Sequence, residues 1–266
     1  MSIMGAIVGD VVGSVYEGRA QKTTDFPWLG PGSRFTDDTV MTVATARVLL
    51  TGEPYAAAYR DLGRRYPAAG YGPGFYQWLM ADDVPPYGSF GNGSAMRASP
   101  VGWACNSVGD VLAEAERSAR VSHDHPEGIK GAQAVALAVY LARTSTAKQD
   151  IRTEISDRFG YDLSRSVASV RPGYRFDVTC QGSVPEALLA FFDASNVEEA
   201  IRLAISLGGD ADTQACIAGS VAGAFWGLAG SDLTRQVWPF LPADLQTVID
   251  SFDRRFAATG GERADP

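Results

Sequence analysis

The sequence is poor in the residues that soft-metal and thiol chemistry require. Only two histidines occur in 266 residues. The three cysteines, Cys105, Cys180 and Cys216, are an odd number and show no CxxC spacing. That pattern excludes a zinc site or a disulfide framework and fits small buried thiols in a reducing compartment. Basic residues are also in deficit. With 23 Lys and Arg against 31 Asp and Glu, the net charge is −8 and the pI about 4.8. A surface of that sign lacks the basic footprint of stable nucleic-acid binding, although one polyanionic ligand can still be held by amides and cations. No apolar run is long enough to span a membrane: the longest, 215–230, is broken by Ser220 and rich in Gly and Ala, which suits a close-packed core helix. The first ten residues lack a basic stretch followed by an apolar one, so no secretory signal is expected, and the protein is expected to be soluble and cytoplasmic. Two-residue alternation is nearly absent, no repeat is evident, and no low-complexity linker divides the chain.

What the sequence does hold is helical periodicity. Hydrophobic residues make up 45% and charged residues 20%, as in an ordinary globular domain. Helices are expected over 40–50, stopping at Gly52; over 111–119; over 129–142, apolar nearly all round; and over 245–256. Ser183 with Glu186, and Asn196 with Glu199, read as capping boxes, the second helix ending at Gly208. Segments 66–74 and 85–93, dense in Gly, Pro and aromatics, read as loops. The expected architecture is an all-α, single-domain compact helical bundle over 1–256, followed by a flexible C-terminal tail over 257–266.

Two segments concentrate carboxylates at the start of core helices. Phe35-Thr36-Asp37-Asp38-Thr39 precedes the helix at Val40, and Gly208-Gly209-Asp210-Ala211-Asp212-Thr213 precedes one over 214–227. A single acceptor suffices to cap a helix, yet each segment offers two carboxylates and a hydroxyl. If the two ends meet, the repulsion must be relieved by protons or cations. Donors that are all hard oxygens select Mg²⁺, Mn²⁺ or Ca²⁺ over zinc. Gly91-Asn92-Gly93-Ser94-Ala95-Met96-Arg97 is a glycine-bracketed loop whose amides suit a phosphate, though Asn-Gly is also a common turn dipeptide. Ser122-His123-Asp124-His125-Pro126-Glu127-Gly128 carries both histidines between two helices. Pro126 fits the first position of the second helix, and no nucleophile elbow accompanies the histidines. In the small-residue helix expected within 5–18, Glu17 reads as a solvated carboxylate near its end.

Together these segments resemble the ADP-ribosylglycohydrolase family along nearly the whole chain, with FTDDT followed by GGDADT as the specific pair. The resemblance implies an all-α bundle with a central cleft holding two Mg²⁺ or Mn²⁺ ions. By it, Thr36, Asp37, Asp38, Asp210, Asp212 and Thr213 look like metal ligands, Glu17 like a mobile catalytic glutamate, Gly91, Asn92, Gly93, Ser94 and Met96 like a diphosphate loop, and His123 like a ligand contact. The implied partner is an ADP-ribosylated protein, nucleobase or small molecule, and a monomer is expected.

The implied reaction is metal-dependent hydrolysis of the bond between ADP-ribose and its acceptor, through an oxocarbenium-like transition state. Glu17 or Asp38 would move the proton. The rivals are a dinuclear-metal phosphohydrolase, which would release AMP, and a non-catalytic ADP-ribose-binding protein, which would be expected to lack metal ligands that are all filled here.

Overall fold

The computed structural model describes residues 2–256; the tail expected over 257–266 lies outside them. Fifteen α-helices follow one another: α1 (Met4–Gly13), α2 (Asp37–Thr51), α3 (Tyr55–Arg65), α4 (Pro73–Met80), α5 (Gly93–Met96), α6 (Ser99–Ala104), α7 (Val108–Arg120) and α8 (Pro126–Arg143), then α9 (Lys148–Phe159), α10 (Val167–Val170), α11 (Cys180–Asp193), α12 (Val197–Ile205), α13 (Ala211–Trp226), α14 (Asp232–Val237) and α15 (Ala243–Phe256). Among the described residues no strand forms; one isolated bridge joins Gly91 and Thr179. No helix among them is long and apolar enough to cross a membrane.

The centre of the bundle is a backbone-to-backbone crossing of α1 and α13. Gly5, Gly9 and Gly13 recur every four residues, so they share one face of α1. A Cβ on Gly9 would lie 2.0 Å from the Ala215 carbonyl oxygen, and one on Gly5 2.2 Å from that of Gly219. Glycine inside a helix costs about 1 kcal/mol relative to alanine. Here that cost is outweighed, because any side chain would force the two helices apart. Every residue of α1 is buried, as is α13 from Ala211 to Ala224. α12, α11 and α8 pack around α13, while α2 joins α1 to α3, α6 and α15.

Local signals place the helix ends. Thr36 caps α2, its Oγ1 accepting from the Asp38 amide at 3.3 Å, and Gly52 ends the helix in the left-handed region at φ 78°. Pro126 takes the first position of α8, with His125 as its cap. Asn196 caps α12, but Glu199 reaches back to the Ser195 amide at 2.7 Å, one residue before the cap. Gly208 is left-handed as expected, though α12 already ends at Ile205.

Three expectations need correction. Ser183 is not a cap: α11 starts at Cys180 under Thr179, and the Ser183 hydroxyl, inside the helix, donates to the Thr179 carbonyl at 2.7 Å. Glu186 is instead drawn to Arg165 at 2.9 Å. The first helix stops at Gly13, so Glu17 stands in the turns that follow rather than on a helix. Finally, α4 begins at Pro73, inside the loop expected over 66–74.

Gly9→Ala is expected to lower the unfolding free energy by about 3 kcal/mol or more, because backbone must move. Gly52→Ala, where the cost is a left-handed residue in open space, should lose only about 1–2 kcal/mol. Urea titration of both variants checks this; equal losses would contradict the crossing described.

Candidate active site

The α1–α13 crossing brings the N-terminal ends of α2 and α13 to the floor of one cleft of about 320 Å³. Carboxylate oxygens of Asp10, Asp38 and Asp212 lie within 4.8 Å of one another, as do those of Glu17, Asp210 and Asp212. The two acidic segments therefore meet, with Asp212 common to both groups. Thr213 Oγ1 donates to Asp38 Oδ2 at 3.3 Å, which ties α13 to α2 directly. Asp37 lines the cleft beside Gly70, its amide donating to the Ala69 carbonyl at 2.9 Å. Glu17 is exposed at the cleft wall.

Asp10 was not among the residues singled out from the sequence. It is fully buried and accepts from the Thr36 amide at 2.9 Å, Thr36 Oγ1 at 2.6 Å, the Thr39 amide at 3.1 Å and the Thr39 hydroxyl. It thus anchors the first turn of α2 and aims Thr36 and Asp38. The available signal was one ionisable residue inside a run of glycines and apolar residues, a position that must be buried and therefore satisfied.

The electrostatics of the floor are unfavourable without a counter-charge. Burial and then the neighbouring carboxylates push Asp37, Asp38 and Asp212 well above the ordinary carboxylate range. Burial also raises Asp10, against hydrogen bonds from Thr36 and Thr39, and raises Asp210, against one from Asn92. Burial and Asp210 raise Glu17, while Arg34 opposes them. Asp38 Oδ1 is buried with no hydrogen-bond partner. An acceptor in that state costs about 1–3 kcal/mol, more when charged, and a hard cation would satisfy it.

The glycine-bracketed loop forms another wall. Gly91, Asn92, Gly93 and Met96 line the cleft. Asn92 turns its amide group inward, donating to Asp210 Oδ2 at 2.7 Å and Ser183 Oγ at 3.1 Å. It links the loop to the second acidic segment. The Ser94 hydroxyl points away from the cleft, donating to the Gly128 carbonyl at 2.7 Å. The two histidines part: His123 is buried against the cleft, whereas exposed His125 accepts from the Glu127 amide.

The sequence reading also missed the straps behind the second segment. Tyr174 packs on Gly209, where a Cβ would lie 2.5 Å from its ring, and its hydroxyl accepts from Gln214 Nε2 at 2.8 Å. Lys22 donates to the carbonyls of Tyr174 and Leu207.

The family model described as ADP-ribosylglycohydrolase matches residues 1–248. ADP-ribosylhydrolase ARH3 of Danio rerio is 26% identical across 89% of this chain and 84% of its own length. That of Homo sapiens is 28% identical across 85% and 84%. ADP-ribosylarginine hydrolase Tri1 of Pseudomonas putida is 24% identical across 86% and 70%. A solved structure titled ADP-ribosylglycohydrolase-related protein complex superposes with a TM-score of 0.73 at 26% identity, covering 95% of each chain.

A divalent hard cation at about a hundredfold excess over its Kd should stabilise the EDTA-treated protein by about 2.7 kcal/mol, roughly 5–10 °C in Tm. Asp10→Asn should weaken cation binding about 10–100-fold, because Asp10 holds Thr36 and the first turn of α2 in place. Thermal unfolding and isothermal titration measure the two effects; a cation-indifferent Tm would contradict the reading of the floor.

Proposed function

The chain belongs to the ADP-ribosylglycohydrolase family and is a hydrolase of the glycosidic bond between ADP-ribose and an acceptor; we propose that it works with two Mg²⁺ or Mn²⁺ ions held where α2 and α13 meet. The observation that carries this reading is the buried oxygen cluster of Asp10, Asp38 and Asp212, with Asp38 Oδ1 lacking any partner in the protein. The donor set fits, since every candidate ligand is a carboxylate or hydroxyl oxygen. Thr36, Asp37 and Asp38 from one segment and Asp210, Asp212 and Thr213 from the other would hold the ions. When bound, such ions supply fixed positive charge that offsets the carboxylates and orients sugar hydroxyls and water.

The remaining work falls to the chain's own groups. Water adds at the anomeric carbon of the distal ribose as the bond to the acceptor breaks. The bonding pair leaves with the acceptor heteroatom, which gains a proton, and ADP-ribose departs with a new anomeric hydroxyl. Glu17 is the group proposed to move the proton. It stands on the solvent side of the cleft, where an acceptor leaves, with a carboxylate oxygen close to Asp210 and Asp212. Asp38, wholly buried and oriented by Thr36, is assigned to cation binding. The loop of Gly91, Asn92 and Gly93, faced by His123, is proposed to receive the diphosphate, with Met96 beneath it and Ser94 contributing backbone only.

The test is release of free ADP-ribose from a panel of arginine-, serine-, base- and acetyl-linked ADP-ribose, with Mg²⁺, Mn²⁺ or EDTA. Release from at least one member, lost in EDTA, is expected. Asp212→Ala should lose cation binding and turnover together, and Glu17→Gln should lose turnover, by about 10²–10⁴-fold, while still binding cation. Turnover by Asp212→Ala without metal would overturn the scheme; AMP as product would favour phosphohydrolysis.

A further inference from the structure

A cleft floored by carboxylates is a poor place for a diphosphate unless positive or donor groups face its other end. Arg97 follows α5 and is wholly buried. Its Nη2 donates to the Ser118 carbonyl at 3.1 Å and to Ser122 Oγ at 3.0 Å. Nε and Nη1 have no hydrogen-bond partner, and the guanidinium lies over the rings of Tyr59 at 4.5 Å and Phe75 at 5.4 Å. A buried cation held this way is costly unless an anion comes near it. Ser122 Oγ in turn lies 2.8 Å from His123 Nδ1.

The hydrogen inventory then decides the tautomer. A guanidinium only donates, so Ser122 Oγ is its acceptor. Ser122 Oγ has a second lone pair, but among the described residues its one hydroxyl hydrogen finds no acceptor other than His123 Nδ1 at 2.8 Å. With that hydrogen on Nδ1, the ring proton of a neutral imidazole sits on Nε2. That atom points at the glycine loop: a Cβ on Gly93 would lie 3.1 Å from it, and one on Gly91 3.6 Å. We propose that Arg97 and Ser122 are positioning residues that hold His123 as the Nε2–H tautomer, so that a neutral donor faces a phosphate oxygen seated at the Gly91–Gly93 loop. The proposal rests on the reading of that loop as the diphosphate site. Rings of Phe75 and Tyr87 cover His123 from α4 and the loop that follows it, and Arg97 is the charge that faces it. Burial and that charge both hold the imidazole well below its ordinary pKa. A histidine kept neutral donates from one defined nitrogen, and the fixed charge behind it favours an anion in an otherwise acidic cleft.

The chain's two histidines make the test direct. In protein labelled at the histidine nitrogens, long-range proton–nitrogen NMR reads each tautomer, and His125→Ala assigns the signals. At neutral pH, His123 is expected to be neutral with its proton on Nε2. Ser122→Ala should lose this preference and bind ADP-ribose about tenfold more weakly, with adenosine, which lacks the diphosphate, bound as before. Ser122→Thr should retain both properties. A charged ring or an Nδ1–H tautomer in the wild-type protein would overturn the proposal without any variant. So would equal weakening of ADP-ribose and adenosine in Ser122→Ala. The expected tautomer in a wild-type protein that does not bind ADP-ribose would uphold the positioning chain and overturn the diphosphate reading alone.

Discussion

Everything at the site depends on how closely α1 approaches α13. With Gly5, Gly9 and Gly13 on one helix and Ala215 and Gly219 on the other, the backbones touch, and helices can come together only where side chains are absent. That contact puts Asp10, a residue of α1, beside the start of α13 and lets it fasten the first turn of α2 through Thr36 and Thr39. Two acidic helix starts far apart in sequence are thereby held face to face. Packing supplies the geometry, and the electrostatic cost of four buried carboxylates, Asp10, Asp38, Asp210 and Asp212, follows from it. Each ion buried without a partner costs several kcal/mol, a cost that protons or divalent cations at the floor relieve.

The cleft is polarised as a result. Its floor, formed by Asp38, Asp210 and Asp212, seeks positive charge, while its far wall carries the buried charge of Arg97 behind His123 and the glycine loop. Asn92 connects the two, its backbone amide bonded to the Val178 carbonyl at 2.8 Å and its side chain to Asp210. A ligand with an anionic middle and a sugar end suits this arrangement, with the diphosphate proposed at the wall and the ribose hydroxyls over the floor. A net charge of −8 is compatible with one nucleotide-like ligand in such a cleft.

The acidic segments were legible because chemistry of that kind is written locally. FTDDT and GGDADT hold more oxygen donors than a cap needs, and the helices that follow them were visible in their apolar runs. Asp10 and Arg97 were not read as functional, because their roles arise from long-range packing: Asp10 reaches Thr36 across 26 positions and Arg97 reaches Ser122 across 25. Ser183 misled for a related reason. Its spacing to Glu186 fits a capping box, but Thr179 lies upstream as a competing cap, and Arg165, distant in sequence, takes the glutamate. Short helices such as α4 escaped notice because a proline and aromatics look alike in a loop and in a helix start.

The two acidic helix ends are proposed to form one cation-binding centre. Anomalous X-ray diffraction from crystals of the full chain grown with Mn²⁺ tests it most directly. Two manganese peaks between the starts of α2 and α13, bounded by Thr36, Asp37, Asp38, Asp210, Asp212 and Thr213, are expected. Ordered crystals with those carboxylates in place and no manganese among them would contradict it.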